Sequence, residues 1–210
     1  MKKLVLILLA CGLIDAAPQA VTGSETTRRE DVQAVYTAVI KSSDLTYLIS
    51  SKAEVPASGA IRSMSLESCV VLPQDYASGW TEILAAFRAS SGNELFPADL
   101  KLTRPYKLLT AEEVQEFRDD RMQAFRVARN NQPSRTEVIL GGTSNPKFAG
   151  AKELLAFSPV YFNQNRTLAV TFVSSYSSPL SGSWHWTVVE KSPDGRWQER
   201  PQWVRCQAVA

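Results

Sequence analysis

The stretch Leu154–Trp203, LLAFSPVYFNQNRTLAVTFVSSYSSPLSGSWHWTVVEKSPDGRWQERPQW, decides the fold of this chain. Runs rich in Val, Thr, Phe, Tyr and Trp alternate with clusters of Asn, Ser, Gly, Pro and Asp, which is typical of strands joined by tight turns. Asn163–Arg166 is the predicted loop of one hairpin. Ser192–Gly195 orders Pro, Asp and Gly as a type I turn with a following left-handed glycine requires. The stretch therefore predicts an antiparallel meander.

Helices are predicted upstream of the meander. Two capping boxes, Thr27–Glu30 and Thr110–Glu113, mark helix starts, because the first side chain of each box caps a backbone N–H and the glutamate reaches back. An apolar stripe at helical spacing follows the first box, and another predicts a helix around Trp80–Phe87. Additional strands are predicted at Leu45–Ser51, Leu66–Leu72, near Lys101 and at Thr136–Leu140.

These elements predict a single α+β domain over residues 27–210, after a signal peptide at 1–20 and a linker at 21–26. An N-terminal amphipathic helix and one or two further helices would pack on one face of a curved antiparallel sheet. The C-terminal meander would supply most of that sheet. By fold-level analogy, we expect a cystatin-like or NTF2-like arrangement.

Composition excludes several functional classes. Lys plus Arg number 23 against 21 for Asp plus Glu, which gives no electrostatic basis for binding nucleic acid or an anionic membrane surface. A single histidine rules out a multi-histidine metal site, and the three cysteines lack zinc-ligand spacing. We find no Gly-rich phosphate loop or dinucleotide fingerprint, so we predict neither a cofactor nor a metal.

The N-terminus has the pattern of a bacterial export signal. Lys2 and Lys3 precede an apolar run over Leu4–Ile14, and small residues follow it. The run is shorter than the ~20 residues that a membrane span needs, and no later run is long enough. We therefore expect a periplasmic or secreted protein.

Leu8–Gly12 also resembles a lipobox, which would make Cys11 a lipid anchor of an outer-envelope lipoprotein. The alternative is that Cys11 is only an apolar member of the signal.

Two cysteines remain beyond the signal, Cys69 and Cys206. In an oxidising compartment such a pair is a candidate disulfide. The alternative is two buried free thiols, because unpaired cysteine is among the most buried residue types. Sequence provides the even number but not the geometry, so both interpretations stay open.

The meander also carries a resemblance. The pattern runs through Phe157–Asn163, Thr167–Val170, Gly182 and Asp194–Trp197. It resembles the C-terminal halves of many small, exported, uncharacterised bacterial proteins, with a serine-led strand ending in Phe-Asn and a terminal Gly-x-Trp hairpin. Those relatives often carry cysteines where this chain has Ser178–Ser181. The resemblance covers about the last third of the chain and implies no assigned activity.

Aromatic residues of the meander are the first functional candidates. Strand alternation places Trp184 and Trp186 on one face and His185 on the other. One interpretation is an exposed aromatic strip, extended by Tyr176, that binds a small ligand or a partner protein. The alternative is that the tryptophans belong to the core, because large aromatics dominate core burial.

The leading functional hypothesis is a non-enzymatic binding or interaction module of the bacterial envelope. Its partner, an unknown protein or small ligand, would bind the concave sheet face. The alternative is a hydrolase with His185 as general base and Asp194 or Glu190 as its orienter. The nucleophile would be one of four serines, Ser174, Ser175, Ser177 or Ser178. No nucleophile elbow accompanies them, so we assign no catalytic residue.

Overall fold

An eight-stranded mixed sheet organises the computed structural model, which describes residues 22–40, 46–54, 64–91, 96–99, 101–102, 105–130 and 145–209. The strands are β1 Thr46–Ser50, β2 Tyr106–Leu109, β3 Ala151–Phe157, β4 Tyr161–Phe162, β5 Leu168–Ser178, β6 Ser181–Lys191, β7 Trp197–Glu199 and β8 Gln207–Val209. The helices are α1 Thr22–Val39, α2 Leu66–Cys69, α3 Ala77–Ala89 and α4 Ala111–Asn130.

The strand order is β2-β1-β3-β5-β6-β7, with β4 beside β5 and β8 beside β6. The predicted meander is confirmed, because β5 pairs antiparallel with β3, β4 and β6, and β6 pairs antiparallel with β7 and β8. The sheet as a whole is mixed, since β1 runs parallel to both β2 and β3. Helical segments separate these three strands along the chain, as parallel pairing requires.

The predicted turn at Ser192–Gly195 is confirmed. Gly195 has a φ of 82°, a left-handed conformation that glycine adopts without steric cost. The Ser192 N–H donates to the Arg196 carbonyl at 2.8 Å, which closes the hairpin between β6 and β7. The predicted loop at Asn163–Arg166 is also confirmed, because it joins β4 to β5.

Both faces of the sheet are covered by helices. Val35, Tyr36 and Val39 of α1, with Ile40 directly after the helix, pack on one face, against a cluster that includes Leu155 and Val189. The other face packs against α3 through Phe172 and Trp186, and against α4 through Leu154. The α+β class is confirmed, but the helices do not share one face. β5 carries buried apolar residues on both faces, such as Val173 and Phe172, so both faces need cover.

Three local predictions differ from the structure. α1 begins at Thr22, so Thr27 lies inside the helix and does not cap it. Leu66–Leu72 is not a strand: α2 covers Leu66–Cys69, and Ser65 caps it by accepting a hydrogen bond from the Ser68 N–H. The strand expected near Lys101 is β2, a few residues later. The strand predicted at 136–140 lies outside the described residues, and the cystatin-like or NTF2-like arrangement stays a prediction.

The capping box that precedes α4 is confirmed, and its contribution to the free energy of unfolding can be measured. The Thr110 N–H donates to Glu113 Oε2 at 2.9 Å, and the Glu113 N–H donates to Thr110 Oγ1 at 3.2 Å. We expect Thr110→Ala to lower the free energy of unfolding by ~1 kcal/mol in urea denaturation, because the Glu113 N–H in the first turn of α4 loses its acceptor. Thr81→Ala is the control, since the exposed Thr81 hydroxyl only bonds the Ala77 carbonyl of its own helix. Equal effects of the two variants would contradict this role of the cap.

Candidate functional site

A cavity of about 440 Å³ lies on the α1 side of the sheet, beyond the last turn of α1. Its walls come from Val39, the last residue of α1, and from Ile40 directly after it, and its floor comes from β3, β5 and β6. The space exists because α1 ends at Val39, while β5 and β6 continue beneath it as 11-residue strands. Part of the α1 face of the hairpin is therefore left open beside a packed core.

Polar side chains occupy the floor of this cavity. Ser175 and Ser183 are cross-strand partners, and their hydroxyl oxygens lie 3.0 Å apart. His185 is two residues along β6 from Ser183, so both side chains lie on the same face of the sheet. All three line the cavity and are half-buried. Two hydroxyls and an imidazole thus form a compact set of donors and acceptors.

Thr187 extends this set into the core. It follows His185 on the same face, lines the cavity and is only 6% exposed. Its hydroxyl has no hydrogen-bond partner among the residues that the structure describes. Its cross-strand neighbour Thr171 differs, because that hydroxyl donates to the Ser158 carbonyl at 3.1 Å. A buried hydroxyl without a partner costs free energy, which a ligand atom in the cavity would recover.

Apolar and charged groups complete the cavity. Leu155 and Val173 form an apolar part of the floor, next to Val39 and Ile40. One part of the cavity is therefore lined by hydrophobic side chains. The exposed side of the cavity is formed by Arg205 and Gln207, near the C-terminal end of the described chain. An occupant would meet apolar surface on one side and hydroxyl, imidazole and amide groups on the other.

A buried ion pair holds α1 over the sheet. Asp31 is 6% exposed, and its carboxylate accepts a hydrogen bond from Lys191 Nζ at 2.5 Å. Trp197 Nε1 donates to the same oxygen at 3.3 Å, and Arg166 Nε lies 3.7 Å from the other. These contacts join α1 to the β6–β7 hairpin. They set the position of the helix and therefore of the cavity wall at its end.

No protein-family model, curated protein or solved structure matches this chain. The resemblance to small exported bacterial proteins therefore stays a prediction. Within the described residues, no helix has the length and apolarity to cross a membrane. The same residues contain no group of three or more His, Cys, Asp or Glu side chains that could hold a metal ion.

The predicted aromatic candidates lie on the face opposite the cavity. Trp186 is 1% exposed, its Nε1 donates to the Met64 carbonyl at 2.8 Å, and Phe172 packs against it edge-on. Trp184 is half-buried against the same cluster. Tyr176 packs on Phe117 and lies under the Arg118 guanidinium, and burial raises the pKa of its phenol. These contacts favour the core alternative over an exposed aromatic strip.

The structure does not assemble the predicted hydrolase triad. Glu190 lies on the opposite face of β6 from His185, where it accepts hydrogen bonds from Tyr76 and Arg200. Asp194 lies in the hairpin turn and binds Ser192 and Arg196. Two of the candidate serines are also engaged elsewhere, since Ser174 donates to Glu54 and Ser177 to Ser181. Ser175 remains on the face of His185, without either predicted orienter.

The pKa of the Asp194 carboxyl tests whether this residue is held in the hairpin turn by Ser192 and Arg196. Hydrogen bonds from Ser192 and then Arg196 lower its pKa to about 2. Because the folded pKa is depressed, the stabilisation is present above the unfolded pKa near 4 and is lost as pH falls toward 2. An NMR titration of the carboxyl should find this low pKa, and Ser192→Ala should raise it. A pKa near 4 in the wild type would contradict the hairpin contacts.

The predicted disulfide is present. Cys69 and Cys206, 137 residues apart, are bonded with a Cα–Cα distance of 4.9 Å. Around it, the Arg205 N–H donates to the Cys69 carbonyl, and Val70 pairs with Val204 in an isolated bridge. The bond therefore ties α2 to the C-terminal segment that borders the cavity. Cys11, the candidate lipid anchor, lies outside the described residues.

Sequence reasoning did not select Ser183, Thr187 or Gln207 as site residues. One signal was available: in β6, polar Ser183, His185 and Thr187 alternate with apolar side chains, so one face of this strand is polar. The pairing of Ser175 with Ser183, and the approach of Gln207 to His185, depend on strand register between distant segments. No local pattern reports that register.

Proposed function

We propose that this protein is an exported, non-enzymatic binding module of the bacterial envelope that takes a small ligand on the α1 side of its sheet. One observation carries the proposal: the cavity beyond α1 is floored by Ser175, Ser183, His185 and Thr187, and the buried Thr187 hydroxyl has no partner among the described residues. The side chains on a strand face that points into a protein are usually apolar, and buried polar groups usually have hydrogen-bond partners. Packing alone therefore does not explain four polar side chains on this face.

The size and chemistry of the cavity suit a small amphipathic molecule. Its volume of about 440 Å³ lies within the range of ligand pockets. Hydroxyl, imidazole and amide groups would orient the polar part of the ligand. Val39, Ile40, Leu155 and Val173 would bury the apolar part. The ligand would therefore combine hydrogen-bonding groups with one hydrophobic side.

Two features support export. The N-terminal residues have the pattern of a signal peptide, and the Cys69–Cys206 disulfide suits an oxidising compartment. Periplasmic or secreted localisation follows, with a lipid anchor at Cys11 as the alternative. Mass spectrometry of the mature protein from membrane and soluble fractions tests this. A mature chain starting near residue 21 supports the soluble form, an acylated Cys11 supports the anchor, and an unprocessed chain in the cytoplasm contradicts export.

The binding proposal is tested with a cavity-filling variant. Ser175→Phe would place a ring over the polar floor, whereas Leu180→Phe adds the same ring at the hairpin tip, where Leu180 is 54% exposed. A fragment library of small amphipathic molecules is screened by ligand-observed NMR against the wild type and both variants. We expect hits that bind the wild type and Leu180→Phe but not Ser175→Phe. Hits that bind all three proteins equally, or an absence of hits, would count against the site.

The hydrolase alternative is tested on the wild type and the variant His185→Gln. A fluorophosphonate probe labels serines that a neighbouring base activates. If the wild type is labelled at Ser175 or Ser183, and His185→Gln abolishes labelling, the cavity is a catalytic site and the non-enzymatic proposal is wrong. We expect no labelling, because neither predicted orienter lies beside His185.

A further inference from the structure

The side of the cavity farthest from α1 is formed by the C-terminal tail, which we define as Val204–Val209. Arg205 and Gln207 of this tail line the cavity, and Gln207 is the cross-strand partner of His185. Val204, Cys206 and Ala208 also pack against the cluster around Trp186, and Val209 is exposed. The tail therefore separates the polar floor from solvent along the free edge of β6.

The attachments of the tail are few and lie close together. The disulfide joins Cys206 to Cys69, which is fully buried in the core. The Arg205 N–H bonds the Cys69 carbonyl at 2.8 Å, so this contact depends on the same anchor. Beyond Cys206 only the three residues of β8 pair with β6. A three-residue edge strand is held by few backbone hydrogen bonds, so it opens readily unless it is tied down.

We propose that the Cys69–Cys206 disulfide is a redox latch that controls access to the cavity through the tail. Cys206 is half-buried while Cys69 is fully buried, so Cys206 is the more exposed residue of the pair and the end of the bond that a reductant meets first. One thiolate of a dithiol reductant attacks Cys206 Sγ and forms a mixed disulfide, while Cys69 leaves as a thiolate and takes up a proton. The second thiol then displaces Cys206, which leaves both cysteines as thiols and the dithiol oxidised.

Reduction of the disulfide changes the structure only near the tail. After reduction, α2 and Cys69 stay in the core, and the Ser68 hydroxyl, 3.8 Å from Cys69 Sγ, remains beside the new thiol. The tail keeps the Val70–Val204 bridge, the Arg205–Cys69 hydrogen bond and its apolar contacts, but β8 loses its covalent anchor, so β8 separates from β6 and uncovers His185. The control of ligand access rests on the proposed function of the cavity, but the release of the tail does not.

Two ligand-free measurements test the latch on the mature protein with and without dithiothreitol. Hydrogen exchange by mass spectrometry should accelerate at least ~10-fold in Gln207–Val209 on reduction, because a short edge strand without its anchor opens locally. Peptides of β5 and α3 should stay protected over the exchange times at which the tail exchanges, because their amides open only with global unfolding. The second measurement uses the single histidine of the chain: diethyl pyrocarbonate should modify His185 at least ~3-fold faster after reduction, as local opening exposes it.

The double variant Cys69→Ala/Cys206→Ala is the matched control, and it should behave like the reduced wild type with or without dithiothreitol. Unchanged exchange of the tail on reduction would overturn the latch. Loss of protection in β5 and α3 on the same time scale as in the tail would also overturn it, since the bond would then act only through global stability. A released tail with an unchanged rate at His185 would overturn the control of access. None of these readouts needs a ligand, so a failed ligand screen would not be mistaken for a failed latch.

Discussion

Trp186→Ala should lower the free energy of unfolding by about 3–5 kcal/mol, the largest effect of any single substitution considered for this chain. The indole is 1% exposed and packs edge-on against Phe87 and Phe172, with ring centroids 5.6 and 5.2 Å away. Alanine would leave a cavity between β6 and α3 and leave the Met64 carbonyl without its donor. Urea denaturation monitored by far-UV circular dichroism measures the loss.

Two matched variants separate the causes of this loss. Trp186→Phe keeps most of the buried apolar area but removes the hydrogen bond to Met64, so we expect ~1–2 kcal/mol. Trp184→Ala removes a tryptophan that is only half-buried, so its cost should be clearly smaller than that of Trp186→Ala. If both alanine variants cost the same, Trp186 would not be the core residue that its contacts indicate.

Removal of the disulfide should have the second largest effect. The bond closes a loop with a sequence separation of 137 residues, so it restricts the unfolded chain strongly. We expect Cys69→Ala/Cys206→Ala to cost about 2–5 kcal/mol of unfolding free energy, with a larger urea m-value because the unfolded state expands. Urea denaturation of the wild type in dithiothreitol should give a similar loss. A loss below ~0.5 kcal/mol would contradict a stabilising role for the bond.

The accurate predictions rest on local chemistry. The turn at Ser192–Gly195 follows from residues within four positions of each other, and the capping box of α4 follows from Thr110 and Glu113. Short apolar runs are less decisive. Leu66–Leu72 contains Val70 and Val71, but Ser65 directly before it caps a helical turn. The structure has a helix at Leu66–Cys69, followed by a β-bridge between Val70 and Val204.

The candidate site was only partly accessible from sequence. Alternation in β6 correctly placed the tryptophans and His185 on opposite faces, but it did not show which of the two faces a helix covers. That depended on where the helices pack: α3 covers the Trp186 face, and α1 ends before it covers His185. Packing of helices is set by interactions between segments far apart in sequence, which no local pattern contains.

The amino-acid sequence by itself determined the α+β class, the meander, the helix around Trp80, the start of α4 and the pair of cysteines available for bonding. Each of these follows from propensity, periodicity or composition within a short window. The tertiary structure alone decided the parallel pairing of β1, the placement of helices on both faces and the cavity beyond α1. It also brought Cys69 to Cys206 and Ser175 to Ser183. These features depend on strand register and on the length of α1 relative to the sheet beneath it, and such distances between remote segments exist only once the chain has folded.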